Sequence, residues 1–160
     1  MRRESSPLRQ HAQSLVDALG ELAEWEGADA DAARATIGAT LETLRAAADD
    51  LDEAGAALQR YATDLAEGHE LGRRAELRVQ GAGLLLEGTR VIEPWGPASA
   101  QEAERRRAQV PEVQARVDLA TALVGRARGR LGRELTRLAQ SFSGHSREAH
   151  SARLPSLPPR

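Results

Sequence analysis

The stretch Ile37-Gly38-Ala39-Thr40-Leu41-Glu42-Thr43-Leu44-Arg45-Ala46-Ala47-Ala48-Asp49-Asp50-Leu51-Asp52-Glu53-Ala54-Gly55-Ala56-Ala57-Leu58 decides the fold class. Ile37, Leu41, Leu44, Ala48, Leu51, Gly55 and Leu58 recur at alternating spacings of four and three, and Ala62 and Leu65 continue the pattern. A sustained average of about 3.5 residues marks a helix whose apolar edge packs against another helix, as in a coiled coil. Leu41, Leu44, Leu51, Leu58 and Leu65 are the expected pairing seam. Ala48, Gly55 and Ala62 alternate with them, so a partner helix can approach closely. From Ala30 to His69 this helix measures roughly 60 Å at 1.5 Å per residue, too long to be covered by one short neighbour.

Upstream, Ser6 and Pro7 suit a helix start, and Leu8, Ala12, Leu15, Leu19 and Leu22 form one stripe. The helix should stop near Trp25-Glu26-Gly27, with Gly27 in the left-handed conformation of a C-terminal cap. Asp29 or Asp31 then caps the long helix. After His69 the stripe shifts to Leu71, Ala75, Val79, Ala82 and Leu86, and interrupting glycines cost about 1 kcal/mol each relative to alanine. The helix is expected to run on, bent or frayed, to about Val91. Leu84-Leu85-Leu86 is read as helical rather than as a strand, since the sequence offers no evident partner strand.

Glu93-Pro94-Trp95-Gly96-Pro97 is a break, and Ser99 with Glu102 has the capping-box spacing. A short helix to about Gln109 follows. Pro111 disfavours helical geometry at Val110, so a kink or restart is expected there. The last helix carries Val110, Val113, Val117, Ala120, Val124, Ala127 and Leu131, continued by Leu135, Leu138 and Phe142. The Ser/Pro/Arg-rich tail 143–160 has little to bury and is expected to be disordered. The predicted fold is all-α: an elongated antiparallel hairpin or bundle of three to four long helices with coiled-coil-like packing. It comprises a hairpin over 7–92, an Arg-rich helical segment over 98–142 and the tail.

Composition narrows the function. Of the 160 residues 41% are apolar but only 2% aromatic, so alanine and leucine supply the burial. That suits thin helix–helix seams rather than a deep ligand pocket. Cysteine is absent, which excludes disulfides, thiolate nucleophiles and zinc–thiolate sites. Residues 1–70 hold fifteen acidic and six basic side chains, and residues 71–160 hold nine and sixteen. The favoured reading is that the halves pair and complement each other's charge. His145 and His150 are five apart and do not share a helix face, so no metal site is expected. The acidic run Asp49-Asp50-Leu51-Asp52-Glu53 reads as a solvated face, and no nucleophile sits on a distinctive turn. An enzyme, a cofactor and a small-molecule substrate are therefore not expected. The arginines from Arg126 to Arg137 lack base-stacking aromatics, which disfavours nucleic acid. No apolar run reaches the roughly 18 residues of a membrane span, and none follows Arg2-Arg3 as a cleavable signal peptide requires.

Trp25-Glu26-Gly27 between two amphipathic helices, with Asp29-Ala30-Asp31-Ala32-Ala33 opening the second, resembles the Trp-x-Gly family of helical-hairpin proteins of type VII (ESX) secretion. The likeness is to the secretion-signal domains that head actinobacterial polymorphic toxins, and it spans about Leu8 to Leu138. It implies a protein partner, as homo- or hetero-oligomer through helices, and export by a leaderless route from the cytoplasm. Trp25 and Gly27 would be the turn motif. The family's export motif is a Tyr followed four residues on by Asp or Glu. Here that position is Leu65, so Tyr61 with Asp64 is the candidate recognition pair. Trp25 also comes earlier than the family places it. The implied function is non-enzymatic: secretion substrate, signal module or co-secreted partner. The alternative is a cytoplasmic adaptor, chaperone or antitoxin-like binding module unconnected with secretion.

Overall fold

A computed structural model describes residues 5–151. It is helical but for one small hairpin: α1 (Ser5–Glu21) with a 3-10 turn at Leu22–Glu24, α2 (Ala28–Gly81), β1 (Leu85–Glu87), β2 (Arg90–Ile92) and α3 (Ala100–Ser151). The chain divides into two compact units, residues 1–58 with 133–160, and residues 59–132.

In the first unit the buried apolar residues are small: Ala12, Ala30, Ala48 and Ala57, joined by Leu41 and Leu138. Arg9 of α1 reaches Asp52 at 2.6 Å and Asp49 at 3.6 Å. From α3, Arg137 pairs with Glu53 and His145 Nε2 lies 3.2 Å from Asp50 Oδ2.

The second unit has a contiguous core of Ala75, Val79, Leu84, Val91, Val113 and Val117, with Ala82 and Val110 packed against it. Here Asp64 meets Arg130 at 2.6 Å and Arg78 lies 3.9 Å from Glu112. In each unit, residues of rising number on α2 thus meet residues of falling number on α3.

Three expectations are corrected. First, α2 crosses His69 without interruption and then stops at Gly81 instead of fraying to Val91. Gly83 has φ +65°, Gly83 N–H donates to Gln80 O and Leu84 N–H to Val79 O, both at 3.0 Å. That double closure, with Leu84 packed in the core beside Val79, is a Schellman cap. Second, Leu85 and Leu86 are strand. Their partner is the next three-residue run, in register Leu85↔Ile92, Leu86↔Val91 and Glu87↔Arg90 across Gly88-Thr89. Gly88 at φ +61°, with no positive φ at Thr89, gives the type II′ pattern of a two-residue hairpin. Third, α3 passes through Pro111. The ring removes one backbone hydrogen bond, but Val110 and Val113 on either side of it both pack on the same core, which holds the helix together.

Ser99 does cap α3, its Oγ accepting from Glu102 N–H at 3.2 Å. Glu102 does not return the bond, because Arg106 engages its carboxylate. The helix continues to Ser151, so residues 143–151 are not part of a tail; 152–160 lie outside the described residues.

Candidate functional site

At the turn, Gly27 has φ +113°, as its cap role requires. Its carbonyl accepts from Asp31 N–H at 3.1 Å. Arg34 locks the turn from α2, donating to Asp31 Oδ1 at 2.8 Å and to the Trp25 carbonyl. With its backbone held, Trp25 remains 54% exposed. About half of this large residue is therefore open to solvent.

Tyr61 and Asp64 are three residues apart on α2 and both half-buried. Asp64 is bound by Arg130 at 2.6 Å. Trp25 and Gly27 fall in the first unit and Tyr61 and Asp64 in the second.

Of the expected seam, Leu41 is buried, while Leu44, Leu51, Leu58 and Leu65 are half-buried. The deepest α2 positions also include Ala48, Ala57, Gly68, Ala75 and Val79. The spacing 57, 68, 79 is eleven residues, or about 3.67 per turn, so the strict seven-residue pattern gives way to a longer period. That is why Ala57 was missed and why Ala62 is exposed. Gly68 is required by close packing, since a Cβ there would stand 2.5 Å from Val124 Cγ2.

On α3 the alternation of four and three runs strictly from Val113 to His145, through Leu131, Glu134, Leu138 and Ser141. Reading Leu135 and Phe142 as its continuation departs from that count, and Leu135 is indeed exposed. The unbroken count carries polar residues into the seam. His145 Nε2 is 3.3 Å from Ser141 Oγ and 3.2 Å from Asp50 Oδ2, and Phe142 lies edge-on to its ring. His145 is thus a packing residue, not a tail residue. The acidic run is also more than a solvated face. Asp49 and Asp52 are taken by Arg9, Glu53 by Arg137 and Asp50 by His145. Charge from the acidic half meets charge from the basic half in both units.

The strongest electrostatic perturbation lies elsewhere. Arg73 and Arg74 hydrogen-bond Glu70 at 2.9 and 2.7 Å, and this pair of guanidinium groups lowers its carboxyl to about 2. Hydrogen bonds donated to carboxylate partners raise Arg9 (to Asp52), Arg73 (to Glu70) and Arg137 (to Glu53) above the ordinary arginine value. Gln114 was not foreseen either. Its Oε1 accepts from Val91 N–H at 2.7 Å and its Nε2 donates to Thr89 O at 2.8 Å, so one side chain completes the outer edge of β2.

Among the described residues no three His, Asp or Glu side chains gather as a metal site, and no helix is long and apolar enough to cross a membrane. No family model, curated protein or solved structure matches this chain.

Proposed function

We propose that this chain is a non-enzymatic helix-pairing protein of type VII secretion, acting as substrate, signal module or co-secreted partner. The carrying observation is the Trp25 turn: its backbone is held by Gly27 and Arg34 while about half of the tryptophan stays open to solvent. A partly exposed tryptophan on a held backbone is the kind of anchor that dominates protein interfaces. The opposed order of contacts along α2 and α3 supports an antiparallel helical hairpin, and the resemblance of Trp25-Glu26-Gly27 to the Trp-x-Gly turn supports the secretion assignment. Because Arg130 occupies Asp64, the candidate export pair is not free to be read, which favours export together with a partner over export alone.

The test expresses the tagged full chain in an actinobacterial host, with and without the secretion ATPase and with and without the products of adjacent reading frames. The chain is expected in the medium only when ATPase and partner are both present. Trp25→Ala should reduce export or partner binding about tenfold, a loss of ~1.4 kcal/mol, with unchanged helicity. Retention in the cell under every condition overturns the secretion reading. Full partner binding by Trp25→Ala removes the turn from it.

A further inference from the structure

The β-hairpin has two unlike edges. On β2, Gln114 Oε1 accepts from Val91 N–H at 2.7 Å and Gln114 Nε2 donates to Thr89 O at 2.8 Å, so α3 finishes that edge. β1 has no such cover. In a two-residue hairpin the closing pair, here Glu87↔Arg90, exchanges hydrogen bonds, and the pairs alternate from there. Leu86↔Val91 is therefore the pair that exchanges none, which is why Val91 N–H is turned out to Gln114. By the same alternation Leu86 N–H and C=O point out of β1, and nothing among the described residues bonds to either.

The side chains along this edge are open too. Leu85 and Leu86 are 49% and 40% exposed. Glu87 is exposed and has no ion-pair partner among the described residues. The register says which strand would fit. Residues opposite one another across a sheet share a face. Take a strand laid antiparallel on β1, with one residue exchanging both bonds with Leu86. That residue lies on the face of Leu86 and the buried Val91, which suits an apolar side chain. The residue before it stands beside the Glu87 carboxylate and should be basic. The residue after it joins the row of Leu85 and Ile92, where a β-branched apolar side chain packs best. Basic, apolar, β-branched is also the order of β2, Arg90-Val91-Ile92, which meets the same three residues from the other side.

We infer that β1 is a docking edge for an extended segment of another protein, of the pattern basic–apolar–β-branched, which adds to the hairpin as a third, antiparallel strand. Main-chain bonds to Leu86 make the contact, and Glu87 selects the charge. Neither Trp25 nor the Tyr61–Asp64 pair takes part, so the docking can fail while the export reading stands.

The probe is the acetylated, amidated pentapeptide Thr-Arg-Val-Ile-Thr, titrated into the isotope-labelled full chain and followed by NMR. For so short an edge the dissociation constant should be roughly 1 mM. The Leu86 amide should shift downfield and exchange more slowly, while the Val91 amide, already bonded to Gln114, should move little. The same peptide N-methylated at valine cannot donate to Leu86 C=O and should bind at least about tenfold more weakly. Thr-Glu-Val-Ile-Thr should bind about threefold more weakly than the arginine peptide, and Glu87→Lys should invert that preference. These changes fall on the peptide or on one exposed side chain, so the fold is not at stake. A Leu86 amide unmoved at roughly 5 mM peptide, equal binding by the N-methylated peptide, or a preference that Glu87→Lys leaves unchanged would each overturn the proposal.

Discussion

The two units solve the same problem with different materials. In residues 59–132, valines from both long helices meet Leu84 of the α2 cap and Val91 of the hairpin in one contiguous apolar cluster. In the other unit alanines line most of the buried surface and polar groups enter the seam, with Asp50, Ser141 and His145 hydrogen-bonded across it. Branched side chains interlock around a point, whereas alanines let helices approach but bury little area each. The alanine-lined unit therefore relies more on the geometry of its ion pairs, most of them solvent-exposed and individually weak. The lesson is that one heptad-like sequence pattern can specify either a cohesive core or a thin, polar seam, depending on what occupies the spaced positions.

The sharpest way to break that comparison is Val79→Asp. It puts an unpaired carboxylate at a position only 2% exposed in the valine cluster. The expected loss is about 4 kcal/mol in urea unfolding. Hydrogen exchange should show protection collapsing first at Ala75–Val91 and Val113–Val117. Equal loss of protection around Leu41, Ala48 and Leu138 would mean that the two units unfold as one, and that their difference in composition has no energetic counterpart.

A smaller contrast lies within one turn of α2. Gly68→Ala must push Val124 aside, whereas Gly72→Ala meets open space. The first should cost about 1 kcal/mol, because overpacking outweighs the gain in helix propensity. The second should stabilise by about 0.5–1 kcal/mol. Thermal melts of the two variants should move in opposite directions. Parallel shifts would show that Gly68 is tolerated rather than required.

The helices were legible because leucine and valine spacing survives in the sequence whatever covers it. So was the cap at Ser99, which depends on nearest neighbours. The β-hairpin was not, because three-residue strands have no periodicity to detect, although Gly83 precedes it and Gly88 stands at its turn. Helix continuity through Pro111 was hidden because the packing of Val110 and Val113 is a tertiary effect. The polar seam was half legible. Counting strictly by four and three reaches His145, but only the fold supplies Asp50 opposite. Of the candidate site, the Gly27 turn could be read locally, while the occupation of Asp64 by Arg130, sixty-six residues away, could not.

The smallest effect concerns surface charge, and it separates ion pairs made within one helix from those made between two. Glu70 is held by Arg73 and Arg74 of its own helix, and its carboxyl is lowered from 4.5 to about 2. A carboxylate with a depressed folded value stabilises the fold above its unfolded value, and that contribution fades as pH falls from about 4.5 to 2. Glu70→Gln should therefore lower stability slightly at neutral pH and not at all near pH 2. Salt should erase most of the difference, since the pair is exposed. Carboxyl-resolved NMR titration provides the direct measurement: Glu70 should stay ionised well below the ordinary carboxylate range. The cross-helix pair Glu53–Arg137 supplies the contrast. Its loss in Glu53→Gln should be felt in the exchange of α3 amides around Arg137 and Leu138, a readout that Glu70→Gln should leave unmoved. Loosened α3 amides in Glu70→Gln would mean that the bonds within one helix also hold its neighbour, and the distinction between the two kinds of pair would fail.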